Sequence, residues 1–300
     1  MKFGVWIVLV GVLFGDDVLA RESWTLKKIR ETGVISLGYR EASIPFSYLD
    51  DKQRPIGYSM DICHRIVDAI RARLGMRHIE FRFTPVTSAN RMPLVVNDLV
   101  DLECGTTTNT LERQQTVTFA TTTFVAASRW VSKKSAGIRS IDDLKGRSVV
   151  TTAGATSMDI LTELNRSRGL DMHILAATDH ADSFRMLETD RAIAFAMDDI
   201  LLNGLVANAR SPGEFVVSEH ALSVEPYAVM LRKDDPEFKK IADDAIAGLF
   251  KSGEIETIYR RWFQSPIPPK GINLQVPMSA ALRKVITTPT DSGDPASYAQ

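Results

Sequence analysis

Helical and strand patterns alternate along almost the whole chain, and this alternation constrains the fold more than any other feature of the sequence. The segments "VISLGY", "RSVVTTA" and "AIAFAMD" are short apolar runs typical of buried strands. Between such runs lie stretches with helical periodicity that end in glycine, such as "SMDICHRIVDAIRARLG" and "SMDILTELNRSRG". This succession predicts an α/β fold in which mostly parallel sheets are flanked by helices.

Two extended segments interrupt the alternation and indicate that the chain folds into two lobes. The segments "FVAASRWVSKK" and "SVEPYAVMLRKDD" bracket a complete set of strands and helices. We therefore expect two crossing strands that join the lobes, with the second lobe inserted into the first. The predicted limits are residues 21–124 with 226–286 for lobe 1 and residues 125–225 for lobe 2. Both lobes are then of ordinary domain size.

The two ends of the chain are predicted to lie outside the lobes. The first twenty residues place Lys2 before an apolar run and close with Val18 and Ala20, the pattern that a signal peptidase recognises. A membrane anchor is the alternative, but the apolar run is short for a bilayer. We therefore expect residues 1–20 to be a cleaved signal peptide and the mature protein to be periplasmic. The tail, residues 287–300, reads "TTPTDSGDPASYAQ" and is predicted to be disordered.

The charge pattern and the motifs exclude several classes of function. Without Lys2, Asp16 and Asp17, the mature chain has 35 basic and 35 acidic residues and no long run of one sign. Such a chain is not expected to bind nucleic acid or a charged membrane surface. The five histidines are scattered, and no phosphate-binding loop, nucleophile elbow or zinc-protease motif occurs. The sequence therefore predicts no metal, no cofactor and no catalytic residue.

The chain contains two cysteines, Cys63 and Cys104. In an exported protein an even pair indicates one disulfide. Two buried free thiols are the alternative, because free cysteine is itself among the most buried residue types. The predicted export favours the disulfide.

Several segments, in order along the chain, resemble the solute-binding proteins of polar amino-acid importers. The stretch "GYSMDICHRIVDAI" is similar to the first long helix of that family, and "VNDLVDLECGTTTNTLERQQTVTFATTTF" is similar to its most characteristic region. The stretches "LGYREASIPFSYLDD", "PVTSANRMPLV", "AFAMDDILL" and "WFQSPIPPKGINL" resemble the members that bind glutamate and aspartate. The resemblance implies the type II periplasmic-binding-protein fold, in which two lobes enclose a ligand cleft and two hinge strands join them.

The resemblance also implies which residues bind the groups that all amino acids share. Arg113, in "TTNTLERQQ", matches the arginine that holds the α-carboxylate, and Thr106 and Thr108 precede it in the same loop. Asp198 matches the carboxylate that binds the ammonium group. Thr156 lies where a strand enters a helix, at backbone N–H groups that can hold a carboxylate. Without the resemblance, an exposed arginine, turn-capping threonines and a helix N-cap would be the ordinary interpretations.

A second set of residues is implied to distinguish acidic from neutral amino acids. Arg40 follows the strand "VISLGY", at the edge of a parallel sheet where ligands bind. Ser88 and Arg91 lie in "TSANRMP", and His180 lies at a helix start in "DHADSF". By resemblance these residues converge on the side-chain carboxylate of the ligand. Three arginines against Asp198 give the expected site a net positive charge, which favours an anionic ligand.

The function implied by the resemblance is capture of L-glutamate or L-aspartate by hinge closure, followed by delivery to the permease of an ABC importer. We expect the binding protein to be a monomer. A dehydratase-like periplasmic enzyme of the same fold is one alternative, but an enzyme needs a general acid or base in the cleft. The carboxylates expected there are already assigned to the ammonium group or to a helix cap. A receptor-type ligand-sensing module is the other alternative, and it usually accompanies a membrane segment or a kinase domain.

Overall fold

A computed structural model describes residues 23–298, so the predicted signal peptide, residues 1–20, lies outside the described residues. The strands are β1 (Val34–Tyr39), β2 (Ala42–Ser43), β3 (Ser47–Leu49), β4 (Pro55–Ile56), β5 (Glu80–Pro85), β6 (Leu102–Glu103), β7 (Thr118–Phe119), β8 (Phe124–Lys133), β9 (Ser148–Thr152), β10 (His173–Ala177), β11 (Ala194–Asp198), β12 (Phe215–Val217), β13 (Ser223–Tyr227) and β14 (Met230–Leu231). The helices are α1 (Trp24–Thr32), α2 (Tyr58–Leu74), α3 (Arg91–Val96), α4 (Thr156–Arg168), α5 (His180–Glu188), α6 (Asp199–Asn208), α7 (Pro236–Ser252), α8 (Glu254–Phe263) and α9 (Ala280–Thr287). Within the described range, no helix combines the length and the hydropathy needed to cross a membrane.

The sheet of lobe 1 has the strand order β5-β1-β6-β14-β7. Strand β1 runs parallel to both β5 and β6, and Leu37 pairs with Phe83 on one side and with Leu102 on the other. The apolar segment "VISLGY" forms this strand because its central residues are buried on both faces of the sheet. Parallel pairing brings the carboxyl ends of β1 and β6 to one edge. Arg40 and the loop that follows Glu103 therefore begin at the same place.

The sheet of lobe 2 has the order β10-β9-β11-β8-β12, and β13 also pairs with β8. Strands β9, β10 and β11 are parallel, whereas β8 is antiparallel to its neighbours, so the sheet is mixed. Helix α4 follows β9 after a short turn, and α6 follows β11 directly. The first turns of both helices therefore lie at the carboxyl edge of this sheet, with Thr156 and Asp198 at their starts.

Two strands connect the lobes, as the sequence predicts. Strands β8 and β13 are antiparallel partners, from the pair Phe124 and Tyr227 to the pair Ser128 and Ser223. The chain enters β8 from β7 of lobe 1 and returns from β13 to β14 of lobe 1. The two-lobed α/β fold is confirmed, whereas the limits proposed for the lobes stay a prediction.

An aromatic cluster lies where the two hinge strands meet lobe 1. The ring of Phe46 packs edge-on against Phe124, Tyr227 and Phe263, with ring centroids 4.8, 5.3 and 5.4 Å away. The rings of Phe124 and Phe263 are stacked at 5.2 Å. Because aromatic pairs of this geometry add to the stabilisation from buried area, the cluster anchors the lobe 1 ends of both hinge strands.

The predicted disulfide is confirmed. Cys63 of α2 and Cys104, which follows β6, are bonded, with their Cα atoms 6.2 Å apart. Both residues are fully buried. The alternative of two free thiols is wrong, and the bond ties α2 to the loop that leads into the cleft.

The C-terminal segment differs from the predicted disorder. Helix α9 extends to Thr287, and the chain from there to Tyr298 packs against the rest of the protein. The backbone N–H of Thr122 donates to the carbonyl of Thr290 at 2.9 Å, and the phenol of Tyr298 lies 2.7 Å from the Thr122 hydroxyl. A polar composition predicts disorder, but it cannot account for a single aromatic anchor such as Tyr298, which is 2% exposed. Residues 299–300 lie outside the described residues.

Candidate functional site

A buried cavity lies in the cleft between the lobes, at the carboxyl edges of both sheets. The cavity is small, with a volume of about 10 Å³. Its polar lining is Ser88, Arg91, Thr106 and Thr108 from lobe 1 and Thr156, His180 and Asp198 from lobe 2, with Ala155, Met197 and Leu201 as apolar lining. The structure therefore brings these predicted site residues together, and the two other predicted residues, Arg40 and Arg113, reach groups beside them.

Lobe 1 contributes buried donors that have no protein partner. Arg40 and Arg91 are each 2% exposed and Ser88 is 5% exposed. Nη1 of Arg40, Nε and Nη1 of Arg91 and Oγ of Ser88 make no hydrogen bond to any described residue. A buried polar group without a partner costs free energy, and a buried charge costs more. These donors are therefore arranged for an acceptor that the protein itself does not provide.

A chain of hydrogen bonds links Arg40 to lobe 2 through His180. Nη2 of Arg40 lies 3.4 Å from Nε2 of His180, and Nδ1 of His180 lies 2.8 Å from the Thr152 hydroxyl. Because a guanidinium can only donate, Nε2 must accept, and the ring proton must sit on Nδ1 and point to Thr152. The Thr152 hydroxyl then donates to Ser183 at 2.9 Å, and Ser183 donates to the carbonyl of Asp179 at 2.8 Å. In this arrangement His180 is neutral and orients Arg40.

Burial shifts the titration of these groups without removing the charge of the arginines. Burial lowers the pKa of Arg40 to about 10, and the like charge of Arg91 acts in the same direction. The pKa of Arg91 is also lowered by burial. Both guanidinium groups therefore stay charged at neutral pH. Burial, Arg40 and Arg91 together hold the pKa of His180 well below its ordinary value, in agreement with the neutral ring that the hydrogen bonds require.

Lobe 2 contributes an acceptor that has no partner. Asp198 is 4% exposed, and its Oδ2 accepts a short hydrogen bond from the phenol of Tyr227 on the hinge strand β13. Its Oδ1 has no partner among the described residues. Burial raises the pKa of Asp198 well above its ordinary value, and the nearby Glu225 raises it further. A cation in the cavity would favour the ionised form of Asp198, because it would offset both effects.

Arg113 bridges the two lobes at the side of the cavity. Its Nη1 donates to the carbonyl of Thr108 at 2.9 Å, and its Nη2 donates to the carbonyl of Gly154 in lobe 2 at 3.2 Å. Burial, with a smaller contribution from Arg91, lowers the pKa of Arg113 to about 10, so it stays charged. The hydroxyl of Thr156 donates to Glu225 at 2.8 Å, so this side chain already has a partner, whereas the first backbone N–H groups of a helix such as α4 have no acceptor within the helix.

Sequence reasoning missed a buried carboxylate next to the arginines. Glu103 is fully buried at the end of β6, and its charge acts on both Arg40 and Arg91. Its Oε2 accepts a short hydrogen bond from the Thr107 hydroxyl, and its Oε1 has no partner among the described residues. The positional rule that indicates Arg40, a polar residue at the carboxyl end of a parallel strand, applies equally to Glu103 in "DLEC".

The charge balance of the cleft differs from the expectation of three arginines against Asp198. Glu103 and Glu225 are both buried beside the cavity, so the formal charges of the three arginines and the three acidic residues sum to zero rather than to a positive value. Positive charge is in excess only at one end of the cavity. Two guanidinium groups, those of Arg40 and Arg91, lie there near the single carboxyl group of Glu103. A carboxylate complements that end of the cavity, and an ammonium group complements the end with Asp198 and Glu225.

A two-lobed α/β fold with paired hinge strands and a charged, buried cleft is typical of solute-binding proteins. The profile of the bacterial extracellular solute-binding proteins, family 3, matches residues 35–265, and the chain belongs to this family.

Relatives with known names are similar over nearly the whole chain. The chain is 49% identical over 285 residues to the L-glutamate/L-aspartate-binding protein of Pseudomonas aeruginosa, with 94% of both chains covered. It is 44% identical over 281 residues to the glutamate/aspartate import solute-binding protein of Salmonella typhimurium, covering 94% of this chain and 93% of the relative. Its fold is similar to that of an ancestral arginine-binding protein bound to arginine, with a TM-score of 0.69 and 24% identity over 77% of this chain and 98% of the other. These relatives are binding proteins and not enzymes.

Proposed function

We propose that this protein captures L-glutamate or L-aspartate in its cleft and delivers it to the permease of an ABC importer. One observation carries the proposal. One buried cavity presents unpaired donors from Arg91 and Ser88 in one lobe and an unpaired acceptor, Oδ1 of Asp198, in the other, and Arg40, with its own unpaired Nη1, contacts the lining residue His180. The names of the two bacterial relatives, both of which refer to glutamate and aspartate, support the same ligand class.

The side-chain carboxylate of the ligand is assigned to Arg40, Arg91 and Ser88. A guanidinium binds a carboxylate through parallel N–H donors, and the pair is strong where water is excluded. His180 contributes mainly by holding Arg40, since its Nε2 accepts from that guanidinium. A neutral ligand such as glutamine would leave these charges less well paired, and it should bind more weakly.

The groups that all amino acids share are assigned to the other residues of the site. Asp198 binds the ammonium group through Oδ1, while Tyr227 holds its other oxygen. Arg113, with the loop that contains Thr106 and Thr108, binds the α-carboxylate. The backbone N–H groups at the start of α4, next to Thr156, add donors for the same carboxylate.

Ligand binding and closure of the lobes are coupled in this proposal. The assigned residues come from both lobes, so a bound ligand bridges them and stabilises the closed form by its differential affinity for that form. The liganded protein then docks as a monomer on the importer from the periplasm. Export through the signal peptide of residues 1–20 belongs to the same proposal.

Titration calorimetry of the mature protein with glutamate, aspartate and glutamine tests the assignment. Arg40→Ala or Arg91→Ala should weaken the acidic ligands by about 2–5 kcal/mol and glutamine far less, because a buried charge-paired contact is lost. Arg113→Ala should weaken all three ligands together. The exposed Arg82 provides the control, and Arg82→Ala should leave all affinities unchanged.

Two outcomes would contradict the proposal at different levels. If Arg40→Ala and Arg91→Ala leave the ratio of glutamate to glutamine affinity unchanged, these arginines do not set the specificity. If the wild-type protein binds none of the three ligands, the proposed function itself is wrong. The experiment does not depend on which acidic ligand is preferred, since one methylene in a pocket is worth only about 1–3 kcal/mol.

A further inference from the structure

Gly154 lies against the backbone of the opposite lobe. A Cβ atom built on Gly154 would lie 2.6 Å from Cα of Ala89, 2.8 Å from N of Ala89 and 2.8 Å from the carbonyl carbon of Ser88. Side-chain carbon atoms essentially never approach a backbone this closely, and backbone atoms cannot rotate aside as a flexible side chain does. The carbonyl of Gly154 also accepts the hydrogen bond from Arg113 of lobe 1. The turn at Gly154 is therefore a point where the two lobes touch through their main chains.

A second glycine makes the same kind of contact elsewhere between the lobes. A Cβ atom on Gly204 of α6 would lie 2.6 Å from the carbonyl oxygen and 3.3 Å from the carbonyl carbon of Ile44, in the loop between β2 and β3 of lobe 1. Gly204 occupies the interior of a helix, where glycine is less favourable than alanine by about 1 kcal/mol. Helix α6 itself therefore does not require glycine at position 204, but the close approach of lobe 1 does.

We propose that Gly154 and Gly204 determine ligand affinity from outside the ligand cavity, because each allows the main chains of the two lobes to meet. The inference rests on the proposed capture of an acidic amino acid by closure. Any larger residue at either position must hold the lobes farther apart. The groups assigned to the ligand come from both lobes, so a wider cleft cannot place Arg40, Arg91 and Asp198 on one ligand at the same time.

The Gly154→Ala variant is tested against Gly146→Ala as a matched control. Both glycines have a positive φ, 77° for Gly154 and 67° for Gly146, so both substitutions carry a similar backbone strain. A Cβ on Gly146 would meet no atom within 4 Å. We expect Gly154→Ala to weaken glutamate binding at least about tenfold more than Gly146→Ala does. The two variants should lose similar thermal stability without ligand.

A second pair removes backbone strain from the comparison. Gly204→Ala in α6 is compared with Gly248→Ala in α7, because both glycines lie within helices and neither has a positive φ. A Cβ on Gly248 would meet no atom within 4 Å. Gly248→Ala should change glutamate affinity by less than about twofold, as surface substitutions generally do. Gly204→Ala should weaken glutamate binding by at least about tenfold.

Small-angle scattering at saturating glutamate separates closure from a general structural effect. The liganded wild type and both control variants should be more compact than their unliganded forms. Gly154→Ala and Gly204→Ala should contract less at saturation, although both are folded. Equal glutamate affinity within each pair, or full contraction of both test variants, would overturn the inference and leave the proposed function intact. Failure of the wild type to bind glutamate or aspartate would overturn the proposed function and this inference with it.

Discussion

Unpaired guanidinium N–H groups inside a protein cost stability, and this cost explains much of the residue-level design of the cleft. Arg40 and Arg91 are held in place by few contacts of their own, and Glu103 balances part of their charge. The positive charge that Glu103 leaves unbalanced can be neutralised by the side-chain carboxylate of an acidic ligand. Position along the chain made Arg40 predictable, since it follows a buried strand. The contact of Tyr227 with Asp198 could not be predicted in this way, because it joins residues 29 positions apart through the folded hinge.

The neutral state of His180 leads to a prediction about pH and stability. Because burial and the arginines lower its pKa in the folded protein, the unfolded chain takes up a proton near its ordinary pKa of about 6.5 while the folded protein does not. The free energy of unfolding should therefore fall as the pH decreases below about 6.5, by at most about 1.4 kcal/mol per pH unit for this group. Urea unfolding of wild type and His180→Gln between pH 8 and 5 measures the effect.

The free energy of unfolding of His180→Gln should depend less steeply on pH than that of the wild type. His64, whose pKa burial also lowers, is present in both and cancels in the comparison. His78→Gln, at an exposed position, is the control. Parallel curves for wild type and His180→Gln would mean that His180 takes up its proton equally well in the folded state.

At the scale of elements, the ends of helices were easier to predict than the positions of segments without regular structure. Helices α2 and α4 end where the sequence predicts, because Gly75 and Gly169 adopt the left-handed conformation that terminates a helix. Those signals are local. The C-terminal segment was mispredicted because its order depends on a contact between Thr122 and Tyr298, which are 176 positions apart. No local pattern contains that information.

The phenol of Tyr298 gives a direct test of how firmly this segment is held. It donates to the carbonyl of Ser292 at 2.7 Å, so the Thr122 hydroxyl must donate to it in turn. Tyr298→Phe leaves the buried Thr122 hydroxyl and the half-buried Ser292 carbonyl without this partner and should lower the free energy of unfolding by about 1–3 kcal/mol. Chemical denaturation measures the loss. Tyr39→Phe is the control, because the Tyr39 hydroxyl makes no hydrogen bond to a described residue, and an equal change in both variants would contradict the contact.

At the scale of the whole molecule, binding and stability depend on different connections. In the proposed mechanism, affinity depends on contacts between the lobes, such as the hydrogen bond from Arg113 to the carbonyl of Gly154, which would be lost when the lobes move apart. Stability depends on the cores of the lobes, the aromatic cluster at the hinge and the disulfide. The disulfide lies entirely within lobe 1, so it cannot restrict the movement of one lobe against the other.

The disulfide should therefore contribute to stability far more than to affinity. Cys63 and Cys104 are 41 positions apart, and closing a loop of that size in the unfolded chain is worth roughly 4 kcal/mol in the chain-entropy description. Protein that has been unfolded, reduced and refolded under reducing conditions should lose about that much free energy of unfolding in urea. Its affinity for glutamate, measured by calorimetry, should change little, because the folded cleft is the same.

The Cys63→Ala/Cys104→Ala protein is the control, since the reductant should not alter its stability. Equal unfolding free energies of the oxidised and reduced wild type would contradict a stabilising role for the bond. A large loss of affinity on reduction would instead mean that the bond positions the loop from Gly105 to Thr108 in the folded protein.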